Sequence, residues 1–298
     1  MDLLGLTNKV AIVTGGASGI GKGVTNYFAD LNIKIVIADL DDELGNEFEK
    51  ELLSKGKKVM YYKTDISDSK QVSSLVKATI SKYGTIDILV NCAGVSGLSS
   101  YLEVIEEEFD WHMDINVKGT HLMCLEVAKV MVEKGIKGRI VNISSINDQI
   151  PVVGLAPYAT SKAAITGLTK AIALELAPYG INVNAIRPGM IETPLAKEVL
   201  DLPDLAQALL RQIPRGRFGQ PEDVAKVITF LASDLGEWVT GAVIPVAGGM
   251  QLVGETSYNY YFEREMMHEE ELPDVPFSRP WKIYDIAKFK RKNSEKDQ

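Results

Sequence analysis

The sequence has little of what a secreted, metal-binding or nucleic-acid-binding protein needs. Two cysteines, Cys92 and Cys124, in 298 residues cannot build a disulfide framework. Each lies in an apolar run, where a buried free thiol is expected. The three histidines, His112, His121 and His268, have no metal-ligand spacing and read as structural or surface residues, so no metal is expected. Basic residues are in deficit, 32 Lys and Arg against 40 Asp and Glu, which argues against nucleic acid as a partner. No apolar run approaches the ~20 residues that span a bilayer, so no membrane partner is expected. Met1–Gly5 has neither a basic nor a long apolar stretch, so no secretory signal is visible and a cytoplasmic location is expected. No internal repeat or low-complexity linker interrupts the chain before residue 250.

What is present is ordinary globular composition, 46% hydrophobic and 24% charged. Short β-branched runs alternate with longer helical patterns. Strands are predicted at 9–13, 33–38, 58–63, 86–90, 139–143, 181–186 and 242–246. Several are apolar throughout, as strands covered on both faces are. Helices are predicted at 19–30, 41–54, 67–83, 106–133, 158–177 and 221–232. The alternation implies a single doubly wound α/β domain, Rossmann-like, with a seven-stranded parallel sheet and helices on both faces, over residues 1–250. Residues 251–298 differ in character. They hold 8 of the chain's 22 aromatic residues, a density foreign to disordered tails. This C-terminal extension is expected to pack on the core or on a neighbouring subunit.

The first strand runs into Thr14-Gly15-Gly16-Ala17-Ser18-Gly19-Ile20-Gly21, which opens the first helix. Glycines there let backbone N–H groups approach a phosphate at a helix N-terminus. An acid about 20 residues on, Asp39 at the end of the second strand, suits a ribose diol and would repel a 2′-phosphate. No Arg or Lys stands at Ala17, Ser18 or Leu40 to offset that repulsion, so NAD is favoured over NADP. The competing role for Asp39 is an N-cap for the helix beginning at Asp41.

The turn's TGxxxGxG spacing resembles that of the short-chain dehydrogenase/reductase family, and further family motifs follow in order. Asp65 and Ile66 resemble the family's adenine-side residues. Asn91-Cys92-Ala93-Gly94 is similar to its NNAG motif, with Cys92 for the second Asn. Asn116 resembles its helix asparagine. Tyr158 and Lys162 form its YxxxK pair, with Ser145 at the family spacing of 13 residues before the tyrosine. Pro188-Gly189-Met190-Ile191-Glu192-Thr193-Pro194 resembles its PGxxxTP loop over the nicotinamide. The resemblance covers residues 7–250.

It implies cofactor contacts at Gly15, Ser18, Gly19, Ile20, Gly21, Asp39, Asp65, Ile66, Asn91, Ala93, Gly94, Tyr158, Lys162, Pro188, Gly189, Ile191 and Thr193. It implies Asn116, Ser145, Tyr158 and Lys162 as catalytic residues, with Asn116 holding a water beside Lys162. It also implies a homotetramer, or a dimer, built on the long helices. Tyr158 and Lys162 lie four apart and share a helix face. The lysine charge and an oxidised nicotinamide both favour the phenolate, which makes Tyr158 a usable acid/base at neutral pH.

Substrate contacts are expected at Ser145, Asn147 and Tyr158, with Ser96, Gln149 and Met190 as weaker candidates. Three polar side chains, Asn147-Asp148-Gln149, follow Ser145, and the run is similar to that of glucose 1-dehydrogenases. A small sugar- or polyol-like alcohol is therefore expected. Arg187 is expected in an ion pair rather than on an anionic substrate. Residues 195–211 read as a helical lid. The alternatives are a 3-oxoacyl thioester reductase, a non-redox lyase or epimerase, and a non-catalytic NAD sensor.

Overall fold

The structure is a computed structural model, and it describes residues 2–252. The predicted extension therefore lies almost wholly outside the described residues. The strands are β1 Val10–Thr14, β2 Lys34–Asp39, β3 Val59–Lys63, β4 Ile88–Asn91, β5 Arg139–Ile143, β6 Asn182–Pro188 and β7 Val243–Val246. They form one parallel sheet in the order β3-β2-β1-β4-β5-β6-β7. β1 pairs with both β2 and β4. The strand order reverses there, and in such sheets the crevice outside the strands' carboxyl ends takes the ligand.

Helices cover both faces: α1 Gly19–Asp30, α2 Asp42–Ser54, α3 Ser69–Tyr83, α4 Glu106–His112, α5 Thr120–Glu133, α6 Ala156–Leu176, α7 Lys197–Leu200, α8 Pro203–Arg211 and α9 Pro221–Ala232. The strand alternation divides two cores. Ala11, Val13, Ile35 and Ile37 face the α1 and α9 side with Phe28 and Val224. Ile12, Val36 and Leu89 face the other side with Leu75, Met123 and Val127. All of these residues are buried. Neither α1 nor α9 is displaced by a residue from its predicted range.

The stretch expected to be one helix over 106–133 is instead α4 and α5 joined by a π-helical segment, Met113–Gly119. Inserted residues of this kind widen the helix and concentrate at functional sites. Asn116 lies inside it, fully buried. The end of the segment packs closely on Ile66: a Cβ on Gly119 would stand 2.7 Å from it. Asp41 proves to be the N-cap of α2, its side chain accepting from Leu44 N, which frees Asp39 from the capping role. Both cysteines are free thiols. Cys124 is buried as expected, but Cys92 is only partly buried.

Candidate active site

β1 delivers Gly15 with φ +60°, and its N–H donates to Ala38 O at 2.8 Å. A Cβ on Gly21 would stand 2.1 Å from Gly15 O, so α1 can close on the turn only without a side chain there. Ser18 is the N-cap of α1 and makes no capping bond from its side chain, and the first turn of α1 carries no acid. That helix end is suited to an anion. Asp39 leaves β2 beside this turn, and its Oδ2 accepts from Ala17 N at 3.0 Å. The carboxylate is thus held at the rim of the turn.

Asp65 Oδ1 accepts from Ser67 N and Ser67 Oγ at 2.9 and 2.7 Å, while Ile66 is buried against the π segment. The loop leaving β4 is fastened by Ala93 N donating to Thr14 Oγ1 at 3.1 Å. A Cβ on Gly94 would lie 3.0 Å from Asn116 Oδ1 and 3.4 Å from Lys162 Nζ. Bare backbone here leaves a cradle in front of the lysine. Across the crevice, Thr193 Cβ stands 3.5 Å from where a Gly19 Cβ would be. Gly189 N donates to Val246 O, and Ile191 bridges Gly219. The Pro188–Thr193 loop is therefore placed against the glycine turn. The cradle, the free helix N-terminus and the fixed Asp39 fit a dinucleotide.

The Asn91 backbone ends β4 beside the crevice. Its side chain turns inward, where Nδ2 donates to Asn142 Oδ1 at 2.8 Å and Cys124 Sγ at 3.3 Å. Only its main chain is left for the cofactor.

The reacting groups meet where β5 ends and α6 begins. Ser145 is 7% exposed, and its Oγ accepts from Asn147 N at 3.1 Å. Tyr158 is half-buried near the N-terminus of α6. Lys162 lies one turn on, 5% exposed, its Nζ 5.5 Å from the Tyr158 ring centre and donating to Ile143 O at 3.0 Å. Desolvation lowers the Lys162 ammonium to about 8. Desolvation also raises Tyr158 above its ordinary value, and a hydrogen bond with Ser145 offsets part of this. The expected depression of Tyr158 is thus not produced by the chain's own groups, because burial favours the neutral form of both partners.

Asn116 is held by both ends of its amide. Its Oδ1 accepts from Val95 N at 2.8 Å, and its Nδ2 donates to Val95 O and Ser161 Oγ, each at 2.9 Å. A side chain so committed clamps the β4 loop to α6.

On the substrate side, the Asn147 side chain is half-buried and Gln149 is exposed. Asp148 is turned inward, its Oδ2 accepting from Arg187 Nε at 2.7 Å. Arg187 therefore forms the expected ion pair. The polar trio is reduced to Asn147 and Gln149. Exposed apolar side chains surround them in the same and the neighbouring loop: Ile150, Val152, Val153 and Leu98. The loops touch through Ser99 N donating to Gly154 O at 3.0 Å. The 195–211 stretch forms α7 and α8 as short helices. The inward turn of Asp148 had one signal in the sequence: a lone arginine in the β6 run Ala-Ile-Arg-Pro needs a buried partner.

The family model described as enoyl-(acyl carrier protein) reductase, adh_short_C2, matches residues 15–251. The chain belongs to the short-chain dehydrogenase/reductase family. It is an oxidoreductase of that family. It is 40% identical over 246 residues to 3-oxoacyl-(acyl-carrier-protein) reductase of Thermotoga maritima, covering 82% of this chain and 98% of the relative. It is 40% identical over 250 residues to the hydroxy(phenyl)methylsuccinyl-CoA dehydrogenase subunit BbsD of Thauera aromatica, covering 84% and 99%. Among solved structures, levodione reductase superposes with TM-score 0.79 at 31% identity, over 84% of this chain and 100% of that one. No described helix is long and apolar enough to cross a membrane.

Proposed function

We propose that this short-chain dehydrogenase/reductase is an NAD(H)-dependent enzyme that interconverts a secondary alcohol and a ketone, with Tyr158 as general acid/base. The observation that carries the reading is the meeting of Tyr158, Ser145 and buried Lys162 opposite the glycine cradle. When bound, the nicotinamide supplies the hydride acceptor or donor. In oxidation Tyr158 takes the alcohol proton; in reduction it gives a proton to the new alkoxide. Ser145 holds the substrate oxygen. Lys162 binds ribose hydroxyls, and its charge stabilises the phenolate. Asn116 keeps the β4 loop in place beside them.

The preference for NAD rests on Asp39. Its carboxylate is fixed at the turn by Ala17 N, and the neighbouring Ala17, Ser18 and Leu40 offer no cation to a 2′-phosphate. The catalytic hydroxyls favour a substrate polar at its reacting end, met by Asn147. The apolar rim favours a less polar body. A sugar or polyol, suggested by the loop sequence, therefore competes with a second reading, a 3-oxoacyl thioester. That reading is supported by the two relatives named for acyl-carrier-protein and CoA thioesters. Exposed Phe109, Trp111, Leu125 and Val132 on α4 and α5 support a homotetramer or dimer.

The test is NADH change at 340 nm across sugars, polyols, hydroxy acids, cyclic diketones and acetoacetyl-CoA, each with NAD(H) and NADP(H). Turnover with NAD(H) on at least one class is expected. Binding of NAD(H) without turnover of any class would shift the reading to a sensor or a non-redox enzyme.

A further inference from the structure

Asp148 is a buried acid with no part in the chemistry above. Its side chain is 1% exposed and that of Arg187 13%. One oxygen, Oδ2, accepts from Arg187 Nε at 2.7 Å and from Thr166 Oγ1 at 2.6 Å. Ser144 Oγ lies 3.4 Å from the same oxygen and donates to Lys162 O at 2.9 Å. The other oxygen, Oδ1, is buried with no hydrogen-bond partner among the described residues.

What these partners carry gives the arrangement its meaning. Asp148 ends the 3-10 turn that Ser145 caps. Arg187 stands one residue before Pro188, which opens the loop toward the nicotinamide end of the crevice. Thr166 lies one turn after Lys162 on α6. A single carboxylate oxygen thus joins the segment that holds the substrate oxygen, the cofactor-side loop and the catalytic helix. β5 and β6 already bring Ser144 N to Ile186 O at 2.8 Å, but β-pairing fixes only the backbone at that point. Ser144 Oγ and Thr166 Oγ1 tie the turn beyond it to α6, and the ion pair ties it to the residue that precedes the Pro188 loop.

We propose that Asp148, through Arg187, is a positioning residue that holds the Ser145 turn in register with the Pro188–Thr193 loop. The inference rests on the dinucleotide reading of the crevice. A neutralised partner leaves a charge buried without compensation, and the loop must move to relieve it. A displacement of about 1 Å at a reacting centre can cost about 10²-fold in rate. The adenosine side, built by Gly15–Gly21, Asp39 and Asp65, shares no hydrogen bond or ion pair with the pair among the described residues. The pair therefore acts on one half of the dinucleotide and leaves the other alone.

The experiment compares two probes on the full-length protein: NADH, followed by nicotinamide fluorescence, and ADP-ribose, which lacks the nicotinamide. Asp148→Asn is expected to weaken NADH about tenfold while ADP-ribose binding stays within about twofold. Arg187→Lys keeps the charge but not the Nε geometry, and it is expected to weaken NADH less, with the same spared ADP-ribose. Asp148→Asn combined with Arg187→Gln strands no charge and is expected to lose no more than Asp148→Asn alone. Equal loss on both probes, or loss on neither, in the variants that fold would overturn the proposal. Wild-type protein that binds ADP-ribose but not NADH, or neither probe, would overturn the dinucleotide reading and the proposal with it. Wild-type binding followed by no discrimination among variants would overturn the proposal alone.

Discussion

Lys162→Met separates the cost of the catalytic lysine from its use. Lys162 is 5% exposed, and desolvation lowers it from 10.5 to about 8. Below pH 8 the ammonium is charged in both folded and unfolded chains, and the folded protein bears the full penalty. Above 10.5 neither state is charged and the penalty is gone. A gap of this size corresponds to about 3 kcal/mol of folding free energy. Wild-type stability should therefore rise relative to Lys162→Met by about 3 kcal/mol between pH 7.5 and 10.5. The variant also loses the bond to Ile143 O, which costs about 1–3 kcal/mol, but that loss is common to every pH and cancels in the slope. Tyr158 is present in both proteins and opposes stability only above its ordinary range, where the unfolded phenol ionises first. The assay is urea unfolding without cofactor at half-unit pH steps. A difference between the two proteins that is flat with pH, or one in which the wild type loses ground as pH rises, would refute the burial argument.

Asp39→Arg should invert cofactor choice. It removes a carboxylate suited to a ribose diol and adds a cation for a 2′-phosphate, so KM for NAD should rise at least about tenfold and KM for NADP should fall. Steady-state kinetics with each cofactor checks this, and an unchanged preference would remove Asp39 from the account. Gly21→Ala drives a methyl into Gly15 O, so it should abolish NADH binding and lower the melting temperature, as fluorescence titration and thermal unfolding would show. Asn116→Ala cuts three hydrogen bonds that join the β4 loop to α6. It should lower kcat by more than it lowers stability. Equal turnover in that variant would make the clamp irrelevant.

The strand positions, the glycine turn and the Tyr158–Lys162 helix were readable because each rests on local pattern. Apolar runs such as Ile33–Ala38 alternate too little to be half-exposed strands, and the sheet buries them on both faces. The glycine turn and the Tyr158–Lys162 spacing carry their geometry in the backbone and the helical period. What escaped depends on contacts across long sequence separations. Buried positions recur every three or four residues through the π segment, at His112, Asn116, Gly119 and Met123, so spacing over 106–133 does not reveal the change of helix type at Met113–Gly119. Asp148 sits between two polar neighbours in a loop, and nothing local distinguishes a side chain facing solvent from one facing Arg187, 39 residues away. The direction of the Tyr158 shift depends on desolvation, which is a property of the packed site. Asn91 carries the same lesson in reverse: a motif position placed it by the crevice, while its side chain serves the core beneath.

The most direct test of the central claim is Tyr158→Phe, measured for turnover and NADH affinity together on whichever substrate the wild type converts. The account predicts a loss of kcat on the order of 10²–10⁴-fold, with the NADH dissociation constant held within about threefold, because the phenol's task is to move a proton. Retained turnover in the phenylalanine variant would contradict it.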